Sequence, residues 1–418
     1  MQRIEKLIIS CVVLACVLSP KHDVCASGTH FVSENGMITE TVGVRALKHE
    51  REYGLCKDED AMLQYKLIME RAIEEIPKIA SWSKKDAIKV LKSLGNLLAS
   101  MGYQYDDAAI NASFGQSLVS KNLDCDTYAL IYASIGEMLR MPIFIGELPE
   151  HVVVIISTEG LELLWETTVN ESRSEKYYRD NYSVKSAWIE DGLFLRSMDG
   201  DRIESFLLCR IANMQAEKEK YTAAISIYND ALELHPASCA ALNNRGFAYR
   251  MLGMPEKARA DYARGLSIYK NLYLLLYSMA ELCMYTGRHK EAMQYYDKTL
   301  REHPKHSKSW HQLGVLKYNA GYYVESIKCY ENAIKCDSSQ SLSHFNLGNL
   351  HITVTGDYNQ ARKCFVNAIK CNPSDPESYV GLAQAKYNLG DSSFCEDLNK
   401  AIRLGAKHAN DIRDKLCK

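Results

Sequence analysis

A cysteine, a histidine and a glutamate in the middle of the chain have the types and spacing that nucleophilic acyl transfer requires. Cys125 stands at the start of an apolar helical pattern, and His151 opens a β-branched run that ends at Ile156. Glu166 lies in the next predicted strand, Leu161 to Thr168. A thiol attacks a carbonyl, an imidazole takes the thiol proton, and a carboxylate orients the imidazole and stabilises its cation. Cys125, His151 and Glu166 are therefore the candidate catalytic residues.

The position of Cys125 in its predicted helix affects thiol ionisation in two opposite ways. The amino terminus of a helix favours the thiolate over the thiol, and its free N–H groups suit an oxyanion. Asp124 and Asp126 flank the cysteine, and their negative charges oppose the thiolate. A basic partner would have to overcome the two carboxylates.

The loop between the two predicted strands decides whether His151 and Glu166 share a face of the sheet. A two-residue loop at Thr158-Glu159 places His151 directly opposite Glu166. A loop at Glu159-Gly160, which glycine favours, places His151 opposite Thr168 and makes Glu166 its diagonal neighbour. In both registers the imidazole and the carboxylate lie on one face, whereas an odd-length loop or a bulge would separate them.

Helical patterns precede this region. Asp58 to Ile76 is stopped by Pro77, and a second helix is predicted from Ser83 to Met101, where Ser83 and Asp86 form a start of the capping-box kind. Residues 45–204 are therefore predicted to form an α+β domain without internal repeats.

The middle domain resembles the transglutaminase-like superfamily of bacterial type, which has a papain-type fold, over roughly residues 110 to 170. The resemblance implies a catalytic triad of Cys125, His151 and Glu166, although the family usually has an aspartate at the third position. It also implies a cysteine peptidase or amidase, or an acyltransferase that forms cross-links. The matching segments are Cys125-Asp-Thr-Tyr-Ala, Leu139-Arg-Met-Pro-Ile, Leu148-Pro-Glu-His-Val and Trp165-Glu-Thr-Thr. Trp165 itself is interpreted as a packing residue.

The carboxyl half repeats with a period of 34 residues, the length of a helix-turn-helix unit. A small residue occupies the eighth position of every unit, and another small residue occupies the twentieth. An aromatic residue fills the twenty-fourth position in five units, and prolines follow three of the predicted second helices. The predicted units are 205–238, 239–272, 273–306, 307–340, 341–375 with one inserted residue, and a degenerate 376–409, followed by a tail at 410–418.

These columns resemble the tetratricopeptide repeat (TPR) family. The resemblance implies an all-α superhelical solenoid after the α+β domain, with the first helix of each unit lining a concave groove for a protein or peptide partner. The clamp that holds a terminal carboxylate in some relatives is not evident. The predicted groove residues are Asn213, Asn243, Phe247, Arg250, Tyr277, Glu281, Gln312, Tyr318, Phe345, Asn349 and Tyr387.

The first 26 residues have the pattern of a secretory signal peptide, with basic residues, a short apolar run and small residues near Ala26. Residues 27–44 would then be a linker. Two alternatives stay open: a lipobox that leaves Cys16 lipidated, and an uncleaved apolar helix. The expected location is the periplasm or the extracellular space, with a membrane-anchored lipoprotein as the variant.

The chain contains 14 cysteines, and cleavage after Ala26 leaves eleven of them. An odd number requires at least one unpaired thiol, and Cys125 is the preferred one. Most of the seven cysteines in the complete repeats are predicted to be buried thiols that act as small hydrophobic residues.

The composition limits the class of protein, its partners and its cofactors. The chain has 418 residues, of which 47% are hydrophobic, so it is a folded protein of two or three domains. The net charge of −2 argues against nucleic acid as a partner, although residues 1–204 are acidic and residues 205–418 are mildly basic. The sequence has no phosphate-binding glycine loop, no Cys-x-x-Cys pair and no metal motif, so neither a cofactor nor a metal is expected.

Two functions follow from these expectations. The first is an exported TPR protein whose transglutaminase-like domain acts on amide or peptide bonds while the repeats bind a partner. The alternative is a non-catalytic TPR scaffold with a degenerate transglutaminase-like domain.

Overall fold

A computed structural model describes residues 41–56, 59–77, 79, 82–106, 112–149, 151–198 and 200–417. The predicted signal peptide, the lipobox at Cys16 and most of the predicted linker lie outside these residues. The chain divides into two compact units, Met1–Met254 and Pro255–Lys418. In the described part of the chain, no helix combines the length and apolarity needed to cross a bilayer.

The first unit combines helices with a four-stranded antiparallel sheet, and its first two strands pair in parallel as a separate small sheet. Its elements in chain order are α1 (Val42–Glu52), α2 (Glu59–Glu75), α3 (Lys84–Ser100), β1 (Gln104–Tyr105), α4 (Phe114–Ser120), β2 (Asn122–Leu123), α5 (Cys125–Leu139), β3 (Ile143–Leu148), β4 (His151–Thr158), β5 (Leu161–Glu166), β6 (Glu171–Arg173), α6 (Glu175–Tyr182), α7 (Ser186–Glu190), α8 (Gly200–Glu217), α9 (Tyr221–Leu234) and α10 (Cys239–Met251).

The two predicted amino-terminal helices are confirmed as α2 and α3. The Ser83 side chain accepts a hydrogen bond from the backbone N–H of Asp86 at 3.2 Å, so the predicted capping residue begins α3. Apolar side chains of both helices enter one core with α5 and the inner face of the sheet. Trp165 is fully buried in that core, which confirms its packing role.

The four-stranded sheet has the strand order β3-β4-β5-β6 and is antiparallel throughout. Thr158 pairs with Leu161, so the hairpin loop is Glu159-Gly160, the register that glycine favours. Gly160 has a φ of +84°, a left-handed conformation that side chains rarely adopt. This register makes Glu166 the diagonal neighbour of His151 on one face of the sheet.

Helix α8 joins the first repeat to the core of the α+β region. The helix begins at Gly200, five residues before the predicted unit start at Ser205, because its first turns pack against that core through Phe206 and Leu207. Glu204 also contacts two side chains of α1: it forms an ion pair with Arg45 at 2.7 Å and a hydrogen bond with His49 at 2.9 Å. The division of the chain at Met254 therefore lies inside the second predicted repeat, and the predicted domain boundaries stay a prediction.

All the secondary-structure elements in the described residues of the second unit are helices. Its elements are α11 (Pro255–Ile268), α12 (Tyr273–Tyr285), α13 (His289–Glu302), α14 (Ser307–Asn319), α15 (Tyr323–Cys336), α16 (Ser341–Leu350), a π-helical turn (His351–Thr355), α17 (Tyr358–Cys371), α18 (Pro376–Asn388), α19 (Phe394–Arg403) and α20 (Ala409–Leu416).

The small and aromatic residues that recur in each repeat pack against each other, as their sizes predict. A Cβ added at Gly314 would lie 2.9 Å from the Tyr330 ring, and one at Gly348 would lie 2.9 Å from the Phe365 ring. The small eighth position therefore makes room for the aromatic twenty-fourth position of the same unit. The π-helical turn His351–Thr355 lies in the unit with the inserted residue, because a π turn accommodates one extra residue in a helix.

Nine cysteines in the described residues are free thiols, and Cys395 and Cys417 form a disulfide. The disulfide links α19 to the residue after α20, a pairing that sequence reasoning left open. Among the seven cysteines of the complete repeats, Cys336 and Cys371 are exposed and the other five are buried. The prediction that most of these thiols are buried is therefore confirmed.

Candidate functional site

His151 and Glu166 form a buried hydrogen-bonded pair. The distance from His151 Nε2 to Glu166 Oε2 is 2.7 Å, and the two side chains are 8% and 3% exposed. Thr168 Oγ1 donates to the other carboxylate oxygen at 2.9 Å, which fixes the carboxylate from its second side. Because Nε2 is engaged with Glu166, Nδ1 is the imidazole nitrogen that remains for a proton donor.

Tyr182 of α6 packs on the imidazole. The ring centroids of His151 and Tyr182 are 4.9 Å apart, and the planes are inclined by 9°. Stacking and the Glu166 hydrogen bond together restrict the rotation of the imidazole. The sequence offered no signal for this contact, because Tyr182 belongs to a short helix outside the matching motifs.

Cys125 is the first residue of α5, as predicted, and it is buried. Asp124 is the N-cap residue, and its carboxylate accepts the N–H of Thr127 at 2.8 Å. That cap does not use the N–H of Cys125. The amino terminus of α5 therefore offers both a thiol and a backbone donor at one point.

The surroundings of Cys125 favour the thiol over the thiolate. Burial raises the pKa of Cys125, the carboxylates of Asp126 and Asp124 raise it further, and a hydrogen bond from the Val152 N–H lowers it by less. The sulfur lies 3.6 Å from Asp126 Oδ1. Of the two opposite effects expected from the sequence, the effect of the flanking aspartates is seen here, and burial adds to it.

Arg210 is the basic partner that the two aspartates require, and sequence reasoning did not identify it. Its Nη1 lies 2.5 Å from Asp126 Oδ2 and 3.7 Å from Asp124 Oδ2, and its side chain is 9% exposed. Arg210 belongs to α8, the first helix of the repeats. The only sequence signal would have been a basic residue in the buried part of an otherwise apolar helix.

Cys125 and His151 line the same cleft, which has a volume of about 290 Å³. Half of the lining residues belong to α8 and α10, the first helices of the first two repeats. The α+β side includes Asp126, Glu147, Leu148, Pro149 and Val152, and the repeat side includes Phe206, Cys209, Arg210, Asn213, Met214, Glu217, Ala240 and Asn244. The repeat helices thus complete the site around the candidate nucleophile.

Because the pKa of Cys125 is raised, we expect its rate of alkylation to reach its maximum only at high pH. In His151→Ala protein, iodoacetamide should modify Cys125 at a rate that still increases above the ordinary thiol pKa of about 8.5. Asp126→Asn added to this variant removes a negative charge beside the sulfur, so the profile should move to lower pH. Mass spectrometry of the Cys125 peptide, with N-acetylcysteine as the reference thiol, measures both. A plateau at or below the pH found for the reference would contradict the prediction.

The predicted groove residues within the first compact unit, Met1–Met254, are partly exposed, and each contacts a side chain of its own repeat. Asn213 accepts a hydrogen bond from Tyr228 at 2.5 Å, and Asn243 donates to Asn244 at 2.9 Å. The guanidinium carbon of Arg250 lies 5.2 Å from the centroid of Phe247. Of these residues, Asn213 also lines the cleft of Cys125.

The predicted groove residues within the second compact unit, Pro255–Lys418, have half-buried or exposed side chains. They lie on the first helix of each repeat. Three rings contact aromatic residues of the second helices: Tyr277 contacts Tyr296, Phe345 contacts Phe365, and Tyr387 contacts Phe394. Tyr296 also donates a hydrogen bond to Glu281. Gln312 and Asn349 are half-buried, and Tyr318 is exposed. Their role in binding a partner stays a prediction.

Three sequence models of the tetratricopeptide repeat match the chain, at residues 227–260, 275–308 and 307–340. The carboxyl-terminal region therefore contains TPR units and is an all-helical solenoid, as predicted.

Individual proteins also resemble the chain. The heat-shock protein cognate co-chaperone sgt12 of Aspergillus fumigatus is 26% identical over 136 residues, which are 32% of this chain and 30% of that protein. The match thus spans about a third of the length of this curated relative.

Among solved structures, pilF of Pseudomonas aeruginosa is 14% identical, covers 52% of this chain and 100% of its own, and has a TM-score of 0.47. YrrB, described as a TPR protein with an unusual peptide-binding site, is 16% identical, covers 49% of this chain and 94% of its own, and has a TM-score of 0.34.

Proposed function

We propose that this protein is an exported cysteine hydrolase or acyltransferase of the transglutaminase-like type, whose TPR units bind a protein or peptide partner. The catalytic domain would occupy residues 45–204, after a signal peptide at 1–26 and a linker at 27–44. The six predicted repeat units would follow from residue 205. The observation that carries the proposal is the buried His151–Glu166 pair in the cleft that Cys125 also lines.

The proposed reaction begins with attack of Cys125 on an amide carbonyl. The Cys125 proton passes to His151 Nδ1 while the sulfur–carbon bond forms, and Glu166 stabilises the imidazolium through Nε2. The carbonyl oxygen becomes an oxyanion, which the Cys125 N–H at the start of α5 can stabilise. Because the thiol is protonated at rest, transfer of the proton accompanies the attack and does not precede it.

The second half of the reaction releases the products and regenerates the free thiol of Cys125. The carbon–nitrogen bond breaks as the leaving amine takes the proton from His151, and a thioester remains on Cys125. Water then attacks the thioester to give a carboxylic acid, or an amine attacks it to give a new amide. Either acceptor loses its proton to His151, which passes it to the departing sulfur.

One contact favours the alternative, a scaffold with a degenerate catalytic domain. The Cys125 sulfur contacts Asp126, and the pKa of the thiol is raised. Catalysis therefore requires the sulfur to exchange its contact with Asp126 for one with the imidazole. A protein that never makes this exchange would keep the fold and the repeats but would not form a thioester.

Formation of an acyl-enzyme distinguishes the two functions. With p-nitrophenyl acetate, the proposed enzyme should release p-nitrophenolate in a burst and carry an acetyl group on Cys125, as detected by mass spectrometry of its peptide. Cys125→Ala should abolish the burst. Cys209 is a buried thiol of the same cleft, and the Cys209→Ala protein should still show the burst. Acetylation elsewhere with none on Cys125 would support the scaffold and refute the enzyme.

A further inference from the structure

We infer that the acyl donor is a polypeptide segment with a basic side chain next to the reacting amide, and that the first repeat helix selects it. This inference rests on the proposed function and adds a substrate class to it. The carrying observation is that α8 and α10 build half of the cleft around Cys125. A substrate that reaches the sulfur must therefore contact these repeat helices.

The polar wall of the cleft suits a peptide backbone. Asn213 Oδ1 accepts hydrogen bonds from Tyr228 at 2.5 Å and from Asn244 Nδ2 at 2.9 Å. Because this oxygen is engaged twice, the amide NH₂ is the group that Asn213 can offer to a bound molecule. An NH₂ donor matches the carbonyl oxygen of an extended peptide, and the adjoining Met214 and Phe206 supply apolar surface.

The cleft is fixed in place relative to the nucleophile. Arg210 of α8 is paired with the two aspartates beside Cys125, and Glu204 of the same helix is paired with Arg45 and His49 of α1. A wall held by a nearly buried ion pair at one point and by partly buried contacts at another can position a substrate chain with little loss of conformational freedom on binding.

The charges that line the cleft favour a cation. Arg210 is committed to Asp126, whereas Glu147 and Glu217 add two further carboxyl groups to the lining. Burial raises the pKa of Glu147 to about 7, although the positive charge of Arg202 acts in the opposite direction. Glu217 is more exposed, and partial burial raises its pKa as well, so a cation beside either carboxyl group favours its ionised form. A lysine or arginine side chain supplies that charge, and an acidic side chain would be repelled.

Peptide electrophiles of opposite charge test this selection. The probes are chloroacetyl-Lys-Ala-Ala-amide and chloroacetyl-Glu-Ala-Ala-amide, from which the Cys125 sulfur displaces chloride, and iodoacetamide serves as the small reference. The measured quantity is the rate of Cys125 modification by each peptide divided by the rate with iodoacetamide. We expect the lysine probe to exceed the glutamate probe about tenfold in this ratio.

Two adjacent exposed positions provide a matched pair of variants. Glu217 lines the cleft and Lys218 does not, although both are exposed. Glu217→Trp and Glu217→Gln should each lower the ratio for the lysine probe, about tenfold for the bulky variant, and Lys218→Trp should leave it unchanged. The inference is overturned if the two probes react alike, or if the Glu217 and Lys218 variants behave alike. Failure of the proposed function looks different, because Cys125 would then react with iodoacetamide at a rate independent of His151.

Discussion

His151→Ala is expected to slow acetylation of Cys125 by p-nitrophenyl acetate about a hundredfold at pH 7. The thiol is protonated at rest because of burial and its two neighbouring aspartates, so attack depends on a base that takes the proton. His151 is the group whose free nitrogen Nδ1 can take it, since Nε2 is bonded to Glu166. The rate of p-nitrophenolate release in the first turnover measures the effect.

Two further variants show whether the loss is specific. Glu166→Gln keeps a hydrogen-bonding group but removes the charge that stabilises the imidazolium, so a smaller loss of about tenfold is expected. His344→Ala removes another mostly buried histidine, from the second unit, and should leave the rate unchanged. An unchanged rate in folded His151→Ala protein would exclude His151 as the base.

Arg210→Met is expected to lower the free energy of unfolding of the first unit by about 3–5 kcal/mol. The substitution removes the cation from a nearly buried cluster and leaves the carboxylates of Asp124 and Asp126 without their partner. Urea denaturation followed by tryptophan fluorescence measures the change. In a Trp310→Phe background the remaining tryptophans, Trp82, Trp165 and Trp188, all belong to the first unit.

A double variant and a surface pair serve as controls for Arg210. Arg210→Met combined with Asp126→Asn removes the cation together with its nearest carboxylate, so it should be less destabilising than Arg210→Met alone. Arg71→Met breaks an exposed pair with Glu75 in α2 and should cost less than about 1 kcal/mol. Equal effects of Arg210→Met and Arg71→Met would contradict a structural role for the buried pair.

The parts of the fold that local patterns determine were predictable from the sequence. A capping serine and apolar periodicity predicted α3, and Gly160 predicted the hairpin register that brings His151 and Glu166 to one face. The TPR phase was equally accessible, because the same column of small residues recurs and α14 and α16 begin at predicted first positions, Ser307 and Ser341. Each of these signals lies within a few residues of the feature it predicts, or repeats along the chain.

The parts that depend on long-range packing were not predictable. Arg210 is 84 residues from Asp126, and only the fold brings the two together. The same holds for Tyr182 on His151 and for the repeat side of the cleft, since no local pattern indicates which helix covers the nucleophile. The effect of Asp124 and Asp126 on the pKa of Cys125 was expected from the sequence, but burial, which raises this pKa most, was not, because it depends on how the fold packs around the thiol.

The most direct test of the proposed catalytic triad compares all nine free thiols of the described residues in one experiment. Folded protein at pH 7 is treated with p-nitrophenyl acetate, and acetylation of each cysteine peptide is followed with time by mass spectrometry. The triad predicts that Cys125 is acetylated much faster than the similarly buried Cys56, Cys209 and Cys239, and that His151→Ala removes this difference. Acetylation of Cys125 at the slow rate of those buried thiols, in protein with intact His151 and Glu166, would contradict it.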